Sequence, residues 1–255
     1  MIQAEIETTS GHLLETIAFL AQRGNLDTDN RWLHAISEMS DTSLRDGSRM
    51  LNDLARAPSA LVFHVAGMAA CIGRRNDLVG RLLGDNISIE DQYSGTLVPA
   101  AMALGPEIVY PTRWPSKALH DFLTHFFETH TTTGVGATER AWERWTFLYH
   151  TACECLRLHG FPSGSPGTPY LAVADRGGGT ASAIGRLVIK EIAQQGDSHG
   201  LFVGGAGFVG DSVGFQECAK EVDRQYGEQA DRMDWQALPN GSGSIPTSRH
   251  YPGVR

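Results

Sequence analysis

Five apolar residues, Leu119, Phe122, Leu123, Phe126 and Phe127, recur at i, i+3, i+4, i+7 and i+8 within SKALHDFLTHFFET. A helix gathers them on one stripe, whereas a strand would split them between two faces, so the segment can bury them together only as a helix. The same period runs through most of the chain. Leu13, Ile17 and Leu20 form a stripe stopped by Gly24, and Trp32, Leu33, Ile36 and Met39 form a second. Leu44, Leu51 and Leu54 give a third, expected to end before Pro58. Residues 59–73, SALVFHVAGMAACIG, are apolar nearly all round, which marks a helix buried on most of its surface. DLVGRLL then forms a short amphipathic helix closed by Gly84. Ala66, Ala70 and Gly73 are small enough to let a partner helix approach, so residues 59–83 read as a tight hairpin resembling one tetratricopeptide unit. No second copy recurs at a fixed period, which argues against a full repeat array.

Prolines at 99, 106, 111 and 115 exclude a long helix over 85–115, although Ala100–Leu104 suits a short one. A longer helix is expected over Glu139–His159, with Trp142, Trp145, Tyr149, Ala152 and Leu156 on its buried face and Gly160 as its cap. FPSGSPGTP, residues 161–169, reads as a linker. Beyond it come a short strand at YLAVAD, a helix capped by Thr180, and a last helix from Asp211 or Ser212 through Phe215, Cys218, Val222 and Tyr226. The Gly/Ser/Pro-rich tail has no core pattern. The expected fold is all-α: helical hairpins in a solenoid-like bundle, with at most two short strands. It divides into a bundle over 1–160, the linker, a small helical subdomain over 170–237 and a disordered tail over 238–255.

A net charge of -8 argues against nucleic-acid binding, which rests on clustered positive charge. The opening MIQAEIETTS has no apolar core of a signal peptide, and the longest apolar run, Ala60–Ile72, is too short to span a bilayer. Cysteines at 71, 153, 155 and 218 show no disulfide-framework spacing. No membrane contact and a reducing cytoplasm are the expectations.

Gly205-Ala-Gly207-Phe-Val-Gly210 spells the dinucleotide fingerprint G-x-G-x-x-G. That motif works when a strand delivers the chain to a glycine turn and pyrophosphate rests on the next helix N-terminus. Leu201-Phe202-Val203 is the candidate strand, and a helix follows. A second parallel strand does not: EVDRQYGEQADRMDWQALPNGSGS offers Asp231 and Asp234 but no Val/Ile run. The sequence therefore favours a glycine-rich helix connection over a cofactor site. The runner-up is NAD or a nucleotide held by Gly205, Gly207 and Gly210, with Asp175 to Thr180 (DRGGGT) as a second phosphate loop lacking the P-loop Gly-Lys-Ser/Thr.

No other chemistry is spelled out. His150, Cys153, Cys155 and His159 fall on opposite faces of one helix, so they cannot close a tetrahedral zinc site; buried cysteines with surface histidines explain them better. His120, His125 and His130 scatter round their helix, and His64 reads as a core histidine with a backbone partner. G-x-S-x-G, H-E-x-x-H and C-x-x-C are missing. Glu139 and Glu143, alternating with Arg140 and Arg144, read as a solvated face.

LARAPSALVFHVAGMAACIGRRNDLVGRLLGD (54–85) and SHGLFVGGAGFVGDSVGFQECAKEV (198–222) together resemble a family. It is that of large bacterial proteins of the phage-defence type, in which a sirtuin-like or P-loop NTPase domain precedes a long helical C-terminal region. Leu201-Phe202, Gly210-Asp211 and Phe215 match its closing part, and ERAWERWTFLYHTACECLR is similar in character. Two departures stand out: AVADRGGG stands where a glycine-arginine-phenylalanine strand is expected, and no residue here corresponds to the catalytic domain. The resemblance implies the sensing or assembly half of such a system, with no catalytic residue and no metal. The expected function is thus a non-enzymatic interaction or regulatory module that takes a protein or peptide in a helical groove. Trp32, Trp114 and Trp142 are anchors of the kind such surfaces use, although core packing suits Trp32 and Trp142 better.

Overall fold

The structure, a computed structural model, describes residues 2–40, 49–84, 87–90, 96–110, 115–160, 181–203 and 211–236. Within them the order is α1 (Ile2–Arg23), α2 (Leu26–Ser40), α3 (Arg49–Ile72), α4 (Asn76–Leu83), β1 (Ser88–Glu90) and β2 (Leu97–Pro99). Then follow α5 (Ala100–Ala103), α6 (Pro106–Val109), α7 (Pro115–His130), α8 (Val135–Leu158), α9 (Ala181–Gln195), a 3-10 turn (Gly196–Ser198) and α10 (Ser212–Gln236). The fold is all-α, with one two-stranded antiparallel sheet among the described residues.

Helix α3 is the spine of the bundle, packed by α1, α2, α4, α6 and α8. The sequence suggested two helices divided at Pro58, but α3 runs unbroken through it. A mid-helix proline removes one backbone hydrogen bond and costs about 3 kcal/mol. Core residues lie on both sides of the proline, Ala57 before it and Leu61, Val62, Phe63, Val65 and Met68 after it. Each such burial contributes about 1.5–3 kcal/mol, so packing wins over the local rule. The merged helix is also longer than the apolar run alone: α3 is long and apolar enough to cross a membrane, but 83% of that window is buried by the rest of the fold.

The expected hairpin at 59–83 is present as α3 and α4. Its small residues do what their size suggests, since a Cβ on Gly73 would meet the Gln22 carbonyl oxygen of α1 at 2.6 Å. A closer crossing, not anticipated, occurs at Gly67, where a Cβ would come within 2.3 Å of the Trp145 ring on α8. Between the two helices Arg74 takes a left-handed conformation (φ 57), the place glycine usually fills, while the Arg75 N–H bonds the Ala70 carbonyl at 2.9 Å.

Helices α7 and α8 form as their spacing predicts. Leu119, Leu123, Phe126 and Phe127 are buried, as are Trp142, Trp145, Tyr149, Ala152 and Leu156, and Gly160 ends α8 at φ 84. Helices α9 and α10 pack on α8, so the core runs without a break across the two sides of segment 161–169. That linker, the YLAVAD strand and the tail lie outside the described residues. The sheet instead joins β1 to β2, pairing Ser88 with Pro99, Ile89 with Val98 and Glu90 with Leu97. Ile89 and Val98 are buried and Leu97 is exposed, the alternation expected of a sheet with one covered face.

Candidate functional site

Gly205, Gly207, Gly210, Asp175 and Thr180 lie outside the described residues, but the chain on either side of 204–210 is defined. Leu201–Val203 is a turn and not the strand that a dinucleotide unit requires. The cause is local: the Phe202 N–H bonds the His199 carbonyl at 2.8 Å, and the Leu201 N–H reaches His199 Nδ1 at 3.3 Å. These bonds curl the backbone that a strand would extend. The turn also presses on α4, where a Cβ on Gly80 would lie 2.3 Å from the Leu201 carbonyl oxygen. On the far side, Asp211 caps α10 by accepting the Gly214 N–H at 2.7 Å, and the Ser212 N–H bonds the Asp197 carboxylate at 2.9 Å.

Around this turn lies a cluster that sequence reasoning missed: Asn76, Arg144, Glu191 and His199. One Arg144 guanidinium nitrogen donates to Glu191 Oε2 at 2.7 Å and to Asn76 Oδ1 at 3.2 Å. His199 Nε2 lies 3.4 Å from the Asn76 amide nitrogen and 3.9 Å from Glu191 Oε2. His199 is fully buried, whereas the Glu191 side chain is 41% exposed. Burial, together with the Arg144 charge, holds the His199 imidazole below its ordinary range against the opposing pull of Glu191, so it is neutral at pH 7. Arg144 therefore does not belong to a solvated face. It ties α8 to the start of α4 and to α9, because the helix crossing turns its side chain inward.

A second polar group joins α2 to α4. Arg75 donates to Asp29 at 2.6 and 3.3 Å and to Asp77 at 3.0 Å, and the Trp32 indole N–H reaches Asp29 at 3.3 Å. The Asp29 side chain is fully buried. Burial alone would lower the Arg75 pKa, but the hydrogen bonds and charges of Asp29 and Asp77 outweigh it and raise it.

The histidines divide. His64 is a core residue with a backbone partner, as expected. An indole N–H can only donate, so the Trp145 contact to Nδ1 at 3.1 Å fixes the proton on Nε2, which donates to the Leu104 carbonyl at 2.9 Å. His150 was expected at the surface and is instead buried between Tyr149 and Tyr226. From Ala141 to Leu156 no position of the helix is exposed; its first turns and its end reach solvent, and His159 lies at that end. His120 packs edge-on to Trp142 and His130 pairs with Glu15 at 2.6 Å. Among the described residues no His/Cys/Asp/Glu group has the makings of a metal site.

Three aliphatic side chains on α9, the 201–203 turn and α10 are exposed. Leu187, one turn from Glu191 on α9, is 53% exposed; Val203 and Val213, which flank 204–210, are 51% and 63% exposed. The arrangement offers a neutral buried imidazole, a guanidinium already paired and a partly exposed carboxylate. No family model, curated protein or solved structure matches the chain.

Proposed function

We propose that the chain is a non-enzymatic helical interaction or regulatory module, the sensing or assembly part of a bacterial, cytoplasmic defence-type system. Its partner is a protein or peptide, received on the face built from α9, the 199–203 turn and the start of α10. The observation that carries this reading is the exposure of Leu187 on α9, Val203 in the 201–203 turn and Val213 at the start of α10. Covering aliphatic side chains left in water gains about 25 cal/mol per Å², and charged groups on a face give such a contact its register. Helical hairpins commonly present this kind of face to partner helices. The rival reading, an NAD or nucleotide site at GAGFVG, is weakened by the turn at 201–203.

Affinity capture with the wild-type chain and with Leu187→Glu/Val213→Glu tests the proposal. Both side chains are exposed, so the variant folds, and circular dichroism verifies it. A partner retained by the wild type and lost by the folded variant is the expected result. Identical recovery from the two would overturn the proposed face.

A further inference from the structure

The first helix does not bury the whole stripe that its sequence suggests. Helix α1 packs on α2 and α3, and its buried residues are Leu14, Ile17, Ala18 and Ala21. Leu13 is left 43% exposed and Phe19 61% exposed. At 100° per residue, Phe19, His12, Arg23, Thr16, Leu20 and Leu13 fall in that order across an arc of about 120°, away from the buried residues. Leu20 is partly buried and the other five are exposed. Between Gly11 and Gln22 the arc carries no Asp, Glu, Lys or Arg. Glu15, the one carboxylate of that stretch, falls outside it and pairs with His130 of α7 at 2.6 Å. The solvent side of a helix is ordinarily its polar side. Here charge returns only at the two ends, with opposite signs: position 5, a glutamate, continues the arc two turns before His12, and Arg23 closes it.

We propose that this side of α1 is a dimer interface, covered by α1 of a second copy of the chain running antiparallel to it. The charges at the two ends decide both the occupant and its direction. A twofold axis level with Leu14 sets Arg23 beside the second copy's Glu5, Phe19 beside its Thr9 and His12 beside its Thr16. Opposite charges then meet at both ends of the contact, and the two helix dipoles oppose each other. A parallel copy would set Arg23 against Arg23. The uncharged middle of the arc, with Leu13, Phe19 and Leu20, is what the contact takes out of water. One helix from each copy makes a small interface, so the dimer forms at micromolar concentrations. The inference does not depend on the proposed partner face, because α9 and α10 pack on α8 whereas α1 packs on α2 and α3.

Sedimentation velocity of the purified full-length chain across the micromolar range tests the proposal. The 27.7 kDa chain is expected to pass from monomer to dimer as its concentration rises. Phe19→Glu places a charge in the seam and raises the dimer dissociation constant about tenfold or more. That side chain lies largely in water, so the variant folds, and circular dichroism verifies it. Leu13→Ser is the second variant and weakens the dimer in the same direction. Arg23→Glu sets like charges together at both ends and weakens association, and Glu5→Arg/Arg23→Glu restores it. A wild type that stays monomeric throughout, a dimer that Phe19→Glu and Leu13→Ser leave unchanged, or a double variant no better than Arg23→Glu would each overturn the proposal. So would a monomer that co-sediments with phosphatidylserine vesicles, since this side of α1 would then belong to a membrane surface.

Discussion

Two histidines set the acid limit of this fold. Burial lowers the pKa of His64 and of His150 from 6.5 to about 3, outweighing the Leu104 carbonyl bond that pulls His64 the other way. Above pH 6.5 both states are neutral and the folded form is undisturbed. Below it the unfolded chain takes up protons that the fold refuses, so stability falls as pH drops from 6.5 toward 3, by on the order of 5 kcal/mol per site at most. Urea midpoints between pH 7 and pH 4 check this, and His150→Phe should flatten the slope. Glycines give a paired prediction of opposite sign. Gly67→Ala drives a methyl into Trp145 and should cost about 1–3 kcal/mol. Gly227→Ala on α10, with nothing within 4 Å of the new Cβ, should gain about 0.5–1 kcal/mol. Thermal denaturation of the two variants checks both. The spacing of neighbours around Gly67 is invisible in sequence, because Trp145 is 78 positions away along the chain.

At the scale of elements, what periodicity encodes was readable and what tertiary contact decides was not. Helices α7 and α8 announce themselves by their apolar stripes, and the hairpin at 59–83 by its small residues. Pro58 misled because a local rule was applied where core burial prevails. The Leu201–Val203 turn misled because its apolar letters suit a strand, and only the bonds to His199 curl it. Arg144 was hidden in an alternating charged run; its partners come from α4 and α9, at sequence distances no pattern spans. The joints between elements carry their own predictions. Arg75→Ala leaves the Asp29 carboxylate buried without its ion pair, which costs about 3–5 kcal/mol. Arg74→Gly relieves a left-handed backbone at φ 57 and should stabilise by roughly 1 kcal/mol. Denaturant unfolding of each variant gives the two values with opposite signs.

For the whole molecule, one apolar core runs through α1 to α10, and the polar side chains that reach inward serve as ties between helices. The all-α class was legible from the start, since the helical period covers most of the chain. Function was not, because the glycine run that looked most like a motif lacks its strand, and the cluster beside it is built from four separate places in the sequence. The proposed role is contact with a partner and not with a nucleotide. Titration calorimetry of the purified chain with NAD, NADH, NADP and ATP, with Gly207→Val as the motif control, tests that claim most directly. No heat of binding from any of the four, with both proteins folded, is the expected result. Micromolar binding abolished by Gly207→Val would contradict it and make GAGFVG a cofactor site.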